Sequence, residues 1–235
     1  MNWIFDPTLL LFVIPPMILG LWAQGRVRSA YARASRVRSR RGLTGVDTAK
    51  TLLDLEGVNG VRIEPTPGFL ADHYHPLQRK LRLSEAVYGD DSLAAVGVAA
   101  HEAGHAIQHA RHYVPMYLRS ALVPLTTVGS VLGQIALGVG VFLALMGFVI
   151  GQWMVLAGIA GFALVFLFSL VTLPVEFNAS RRARAALAQY GLVDRDEMTE
   201  VKGVLDAAAL TYVASTVAVL GTLLQLLYIF NRSRD

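Results

Sequence analysis

Residues 120–175 read SALVPLTTVGSVLGQIALGVGVFLALMGFVIGQWMVLAGIAGFALVFLFSLVTLPV and contain no Asp, Glu, Lys or Arg over 56 positions. A bilayer core is about 30 Å thick, and a helix needs roughly 20 apolar residues to cross it. The run is therefore too long for one membrane span and fits two, with a tight turn expected near residues 147–152. Two further uncharged runs, residues 7–25 and 207–231, each fit one span.

The composition separates this chain from several classes of protein. Hydrophobic residues fill 54% of all positions and charged residues only 16%, whereas soluble domains carry about 25% charged residues. The apolar content excludes a disordered chain, and the absence of cysteine excludes disulfides and Cys-ligated metals. We expect a mainly α membrane protein in which about four transmembrane helices carry a small α+β domain. The first span is the least regular, since Pro15 and Pro16 interrupt its helical hydrogen bonds.

Basic residues are distributed unevenly between the predicted spans. Residues 26–119 carry 14 Lys and Arg and residues 176–206 carry 5, whereas the N-terminal flank and the central turn carry none. The positive-inside rule places both basic segments in the cytoplasm. Seven arginines between Arg26 and Arg41 follow the first span without an acid among them. With the apolar residues at helical spacing between them, they predict an amphipathic helix on an anionic membrane surface, and no nucleic-acid partner is expected.

The chain accordingly divides into five segments. Residues 1–25 are an N-terminal transmembrane helix. Residues 26–119 are a cytoplasmic segment that holds a basic helix, a small sheet and the helix that carries the HExxH motif. Residues 120–175 form a transmembrane hairpin, residues 176–206 a cytoplasmic helix, and residues 207–235 a C-terminal transmembrane helix with its tail. The elements predicted within the cytoplasmic segments are a helix over 44–55, strands over 58–63 and 80–83, a helix over 93–111 capped by Asp90, Asp91 or Ser92, and a helix over 176–190 that stops at Gly191.

The predicted helix over residues 93–111 contains His101-Glu102-Ala103-Gly104-His105. Residues four apart lie on one face of a helix, so His101 and His105 can direct ring nitrogens at one metal ion. Glu102 lies beside this pair, where it can act as a general base towards an attacking water. The pattern predicts a zinc-dependent hydrolase. The alternative is a helix whose histidines only pack or face water.

A catalytic zinc site needs a third protein ligand, and Glu176 is the best candidate. It is the first charged residue after the 56-residue run, and a transmembrane hairpin would return it to the membrane face where the motif helix ends. The alternative is an interfacial carboxylate paired with Arg181 or Arg182. His109 continues the motif stripe, but ligands at i, i+4 and i+8 would span about 12 Å of helix. We therefore expect His109 near the site or at the membrane interface rather than on the metal.

Other residues near the motif allow two interpretations each. His73, Tyr74 and His75 could stabilise an oxyanion or bind substrate, or they could be ordinary loop residues. The strand over residues 80–83 could be the edge that pairs with an extended peptide, because proteases commonly hold substrates by strand addition. The expectation for this strand rests on the order of the elements alone, a strand followed by the motif helix.

The motif stretch His101–His109, together with residues 174–183 (PVEFNASRRA), resembles the YugP-like neutral zinc metallopeptidases of bacterial membranes. Residues 70–76 (LADHYHP), followed by LRLS at residues 81–84, are also similar to that family. The layout is similar to the HtpX/Ste24 group as well, in which a transmembrane hairpin separates HExxH from a Glu ligand. The resemblance covers roughly residues 42–190. It implies a zincin-like catalytic domain with His101, His105 and Glu176 as zinc ligands and Glu102 as catalytic base.

The chain departs from the wider gluzincin pattern at one position. Those enzymes often carry an Asp four residues after the Glu ligand, where it orients a metal-bound His. The corresponding residue here is Ser180. A hydroxyl can accept a hydrogen bond from an imidazole N–H but orients it more weakly, and Asn178 could take its place.

These features predict a membrane-embedded zinc endopeptidase in the inner (plasma) membrane of a bacterial cell. As a multi-pass protein in contact with the lipid bilayer, it would cut protein or peptide substrates near the cytoplasmic face. The alternative is a non-catalytic zinc-binding membrane scaffold or sensor. A transporter is a third interpretation, but the predicted spans contain no charged residue from which a relay could be built. The sequence predicts neither the physiological substrate nor the oligomeric state.

Overall fold

A computed structural model describes residues 7–68 and 71–232. Residues 1–6 of the predicted N-terminal segment, Leu70 of the family-like stretch and Arg234 of the predicted tail lie outside the described residues. The described helices are α1 (Leu10–Ala34), α2 (Gly45–Leu55), α3 (Glu85–Tyr88), α4 (Leu93–Ala110), α5 (Val114–Leu145), α6 (Val149–Gln189) and α7 (Arg195–Arg232). The described strands are β1 (Arg62–Thr66), β2 (His73–His75) and β3 (Lys80–Ser84).

The chain forms two compact units. The first comprises the residues up to Trp22, Leu118–Leu173 and those from Tyr212 onward, and the second comprises Ala23–Tyr117 and Pro174–Thr211. Four described helices, α1, α5, α6 and α7, are long and apolar enough to cross a membrane. The predicted fold class, a mainly α membrane protein with a small α+β part, is therefore confirmed. The predicted division into five segments stays a prediction.

In the first unit, glycines bring the backbones of α5 and α6 into contact. A Cβ added to Gly161 would lie 2.9 Å from the carbonyl oxygen of Gly129, and one added to Gly158 would lie 2.9 Å from that of Gly133. No larger residue fits at these positions without a shift. The two helices are joined by a tight turn at Gly147, whose φ of +88° suits only glycine. The turn is shorter than expected, since α6 begins at Val149.

Helix α1 runs without a break through Pro15 and Pro16. Proline has no N–H, so the carbonyl of Phe12 loses its usual partner four residues later, at Pro16. A Cβ on Gly221 would clash with that carbonyl, which shows how closely α7 approaches α1 inside the first unit. Such packing against neighbouring helices is how membrane helices tolerate proline.

The C-terminal part of α1 corrects one expectation. The predicted separate helix on the membrane surface is wrong, because α1 continues unbroken to Ala34, across the predicted boundary at residue 25. Ala30 and Ala34 of its apolar stripe are buried in the core of the second unit, so this stripe faces protein. The arginine cluster also contacts carboxylates. The observed ion pairs are Arg33–Glu200, Arg40 with Asp194 and Asp196, and Arg38 with Asp90 and Asp91.

The sheet of the second unit has the order β1-β3-β2. Strand β3, predicted over residues 80–83, is central, with β1 parallel on one side and β2 antiparallel on the other. The first strand begins four residues later than predicted, because Gly57 and Gly60 adopt positive φ and turn the chain before Arg62. Strand β2 (His73–His75) lies in a stretch for which the sequence predicted no strand.

Helix α4, which carries the motif, lies in the core of the second unit. Fourteen of its residues are buried, so it is a core helix rather than an amphipathic surface helix. It begins where predicted, since the hydroxyl of Ser92 accepts a hydrogen bond from the N–H of Ala95 and caps the N-terminus. It ends at Ala110, one residue short of the prediction. The predicted stop of α6 is also confirmed, because Gly191 follows with a φ of +59°.

Candidate metal centre

Gly104, inside the motif, is where the backbone of α4 closely approaches that of α6. A Cβ at this position would lie 2.5 Å from the carbonyl oxygen of Ala179, which is closer than real Cβ atoms approach. The two helix backbones therefore touch, and Ala179 is fully buried. Glu176 and Ser180 lie three residues before and one residue after Ala179 on α6. The contact thus brings both side chains to the motif face of α4.

The predicted ligand atoms converge at this contact. The Nε2 atom of His101 lies 3.1 Å from Oε2 of Glu176, and the Nε2 atom of His105 lies 3.5 Å from the same oxygen. One donor atom from each of the three residues falls within 4.8 Å of the others. Tetrahedral zinc with ligands at about 2.0–2.1 Å sets its donors roughly 3.4 Å apart. The two-nitrogen, one-oxygen set and its spacing therefore fit a zinc ion.

The ring of His105 is oriented by an amide. Its Nδ1 atom lies 3.0 Å from Oε1 of Gln108, an atom that can only accept a hydrogen bond. The proton of the neutral ring therefore sits on Nδ1, and the lone pair of Nε2 is directed at the donor cluster. Gln108 is itself fully buried, and its amide nitrogen donates to the carbonyl of Val175 at 2.8 Å and to Oδ1 of Asn178 at 3.0 Å. The hydrogen-bond chain ends at Arg182, whose Nε donates to the same Oδ1 at 2.8 Å.

The ring of His101 is oriented by a hydroxyl. Its Nδ1 atom lies 3.1 Å from Oγ of Ser180, so the residue at the position of the family's Asp does contact a motif histidine. Asn178 does not substitute for it but holds Gln108 instead. The sequence interpretation missed Gln108. The available signal was a polar amide three residues after His105, between Ile107 and His109 of the motif helix.

Glu102 is almost fully buried, with 8% of its surface exposed. Burial raises the pKa of its carboxyl to about 7, and the negative charges of Glu176 and Asp72 act in the same direction. His101 and a hydrogen bond from the backbone N–H of Tyr74 oppose this rise in pKa. The carboxyl is therefore poised to take up and release a proton near neutral pH.

Strand β2 consists of His73, Tyr74 and His75, the three residues for which the sequence allowed two interpretations. Tyr74 is buried, with its N–H on Glu102 and its hydroxyl 2.8 Å from Nδ1 of His109. The ring nitrogens of the two neighbouring histidines contact nearby backbone, with His73 on the carbonyl of Ala71 and His75 on the N–H of Gln78. A role for these histidines towards an oxyanion stays a prediction.

Two further expectations are resolved by this arrangement. His109 lies outside the donor cluster, with its Nδ1 on Tyr74, in agreement with a place near the site. The expectation that residues 80–83 form the open edge is wrong, because β3 is paired on both sides. Strand β2, the neighbour of α4, lies at the edge instead.

The comparisons with known proteins indicate a zinc peptidase family. A family model described as "Putative neutral zinc metallopeptidase" matches residues 9–231. The chain belongs to this family. The expected resemblance of the chain to this family is thereby confirmed, and so is the expectation of zinc as the metal.

A curated relative aligns with nearly the whole chain. It is named "Putative membrane protease YugP", from Bacillus subtilis (strain 168), and is 41% identical over 218 residues, which is 92% of this chain and 94% of the relative. No solved structure is significantly similar to the chain. Membership of a zinc metallopeptidase family therefore rests on sequence, and the site geometry rests on the contacts described above.

Proposed function

We propose that the protein is a membrane-embedded zinc endopeptidase. The observation that carries the proposal is the convergence of His101, His105 and Glu176 within 4.8 Å, beside the buried carboxyl of Glu102. Membership of the zinc metallopeptidase family supports the same reaction class. In this proposal the three clustered residues are the metal ligands and Glu102 is the catalytic base.

The residues of the site have distinct roles in the proposed hydrolysis. A zinc ion held by the three clustered residues would act as a Lewis acid, lowering the pKa of a bound water and polarising a peptide carbonyl. Gln108 keeps the proton of His105 on Nδ1, and the hydroxyl of Ser180 can accept the Nδ1 proton of His101, so that both Nε2 lone pairs can be directed at the metal. Glu102 takes the proton of the attacking water on its carboxylate and delivers it to the nitrogen of the leaving amine. Its pKa of about 7 suits both transfers.

In this proposal the substrate peptide binds along strand β2. This strand lies at the edge of the sheet, and its residue Tyr74 reaches Glu102 through its backbone N–H. An extended peptide beside β2 would run past the donor cluster with its backbone held by strand addition. Strand β3, which the sequence suggested for this role, has no open side.

The cleavage site faces the cytoplasm in this proposal, and the protein resides in the bacterial plasma membrane. The support is the distribution of charge, because the segments that form the second unit carry nearly all the basic residues. The bilayer and a protein or peptide substrate are the expected partners.

The test measures bound zinc and peptide cleavage in the full-length protein, reconstituted in nanodiscs. Glu102→Gln should bind zinc with the same stoichiometry as the wild type and lose about 100-fold or more in cleavage rate, since general bases contribute 10²–10⁴-fold. Glu85→Gln, on the exposed surface of α3, is the matched control and should leave both properties unchanged. Full cleavage by zinc-loaded Glu102→Gln would contradict the mechanism. Stoichiometric zinc without cleavage of any peptide by the wild type would favour the scaffold or sensor instead.

A further inference from the structure

The second unit contains a cavity of about 240 Å³ beside the C-terminal half of α4. Its polar lining includes Arg79, His109, His112, Tyr74 and Tyr117, and none of the described residues that line it is acidic. We call this cavity the Arg79 pocket. Its lining therefore offers hydrogen-bond donors and positive charge without a carboxylate to neutralise them.

Two lining residues adopt a backbone conformation that normally calls for glycine. Arg79, with a φ of 49°, closes the turn from β2 to β3, and its N–H donates to the carbonyl of Pro76. His112, with a φ of 52°, follows the end of α4, where its N–H donates to the carbonyl of His109. They are the two non-glycine residues with positive φ in the described part of the chain. Glycine is the usual residue at both kinds of position, and side chains kept in such conformations cluster at functional sites.

The guanidinium of Arg79 is the donor available to a ligand, because the hydroxyl of Tyr117 already donates to the carbonyl of His109 at 3.3 Å. No carboxylate of the described residues forms an ion pair with Arg79, whose guanidinium carries five N–H groups. One ring nitrogen of His109 pairs with the hydroxyl of Tyr74, and one of His112 pairs with the hydroxyl of Tyr117 at 3.1 Å. Burial lowers the pKa of His109, and the positive charges of Arg79 and His112 act in the same direction. The electrostatic environment of the pocket thus favours an anion.

The pocket adjoins the candidate catalytic residue. Glu102, Ala106 and His109 follow one another at i, i+4 and i+7, so they share one face of α4. Tyr74 connects the two places, because its N–H is on Glu102 and its hydroxyl is on His109. The pocket therefore begins about one to two helical turns from the proposed base, within reach of a peptide bound there.

We propose that the Arg79 pocket binds a carboxylate of the peptide substrate, from an acidic side chain or from the C-terminus. This inference rests on the proposed function, since it assigns substrate specificity to the same site. A bidentate contact between a guanidinium and a carboxylate is the strongest interaction that the lining offers. The protein would then select where it cuts by the position of a negative charge near the scissile bond.

The test measures peptide binding without turnover. Full-length, zinc-loaded Glu102→Gln protein in nanodiscs is titrated with fluorescent peptides that differ only in Asp against Asn at each position. A second arm compares a free C-terminal carboxylate with its amide. We expect one acidic peptide, or the free carboxylate, to bind about tenfold or more tightly than its neutral twin, as expected for a charge-assisted pair. The arm that shows the difference identifies the source of the carboxylate.

Substitutions at Arg79 connect any preference to the pocket. Arg79→Gly suits the positive φ, so the variant should fold, lose the tenfold preference and change the affinity for neutral peptides less than twofold. Arg79→Lys should retain part of the preference, and Arg36→Gln, on the exposed arginine cluster, should retain all of it. No preference for acidic peptides, or a preference unchanged in Arg79→Gly, would overturn the proposal.

Two further outcomes separate this inference from its alternatives. Wild-type cleavage without an acidic preference overturns the pocket assignment alone, whereas an acidic preference in binding without any cleavage overturns the endopeptidase alone. An effect of Arg79→Gly that is equal for acidic and neutral peptides, and that appears only in nanodiscs containing phosphatidylglycerol, would identify a lipid headgroup as the occupant. That result would also overturn the peptide assignment.

Discussion

The Nδ1 atom of His105 lies 3.0 Å from Oε1 of Gln108, and this contact fixes which nitrogen of the ring faces the donor cluster. Replacing Gln108 with Met should release the ring and leave the carbonyl of Val175 without its buried donor. Loss of such orienting partners typically weakens metal binding by about 10–100-fold. Competition with a chromogenic zinc chelator measures the change, and Gln78→Met, on the exposed turn, is the control. An unchanged zinc affinity in Gln108→Met would show that the amide has no orienting role.

The close contact at Gly104 predicts a strong effect of a single methyl group. Gly104→Ala places a Cβ against the carbonyl of Ala179 and should push α4 and α6 apart. We expect a loss of about 1–3 kcal/mol in the free energy of unfolding, as for other overpacked cores, together with weaker zinc binding. Gly203→Ala is the matched control, because its Cβ meets only the guanidinium end of Arg33 at 3.7 Å. Helix propensity should make that control neutral or slightly stabilising, and equal unfolding of both variants would contradict the steric argument.

Metal removal should destabilise the second unit. A ligand that binds only the folded state stabilises it by about 4 kcal/mol at a thousandfold excess over its Kd. A chelator should therefore lower the Tm of the purified protein, and added zinc should restore it. Differential scanning fluorimetry measures this shift, and Glu176→Gln should make the Tm insensitive to the chelator. A chelator effect that persists in Glu176→Gln would remove Glu176 from the ligand set.

The glycines of the first unit predict a position-specific effect on helix packing. Gly161→Val would press a branched side chain onto the backbone of Gly129 and Gly133, whereas a Cβ at Gly138 meets nothing within 4 Å, so Gly138→Val has room. Small residues are what allow membrane helices to approach this closely. Thermal unfolding in detergent should be shifted clearly to lower temperature by the first substitution and hardly at all by the second. Similar melting of the two variants would mean that the α5–α6 contact does not limit stability.

The absence of native cysteine allows a clean test of membrane orientation. Leu77 on the β2–β3 turn is 93% exposed, and Met146 beside the α5–α6 turn is 61% exposed. With a membrane-impermeant maleimide on intact spheroplasts, Met146→Cys should be labelled and Leu77→Cys protected. Permeabilised cells should label both variants, which controls for reactivity. The reverse pattern would place the candidate site on the outer face.

Local patterns were sufficient for part of this structure. The uncharged runs predict the four long helices because the bilayer imposes a length on any span, and Ser92 predicts the start of α4 because capping is a local interaction. The spacing of His101 and His105 likewise follows from the geometry of one helix. These features depend on neighbours in sequence, and a single sequence contains that information.

The remaining features depend on partners that are distant in sequence. Strand β2 is only three residues long and exists because it pairs with β3, so its own composition did not distinguish it from a loop. The stripe on α1 has the pattern of a surface helix, but the core of the second unit covers it. The role of Gln108 could not be predicted because its partners on α6 lie about 70 residues further along the chain.

The backbone contact at Gly104 also determines how α6 is rotated about its own axis. Each residue of an α-helix advances it by about 100°, so one residue inserted between Glu176 and Ala179 would turn the carboxylate away from α4. Such a change removes no side chain and leaves both helices intact. The donor set is therefore specified by the number of residues between Glu176 and this contact as strictly as by the identity of its three ligands.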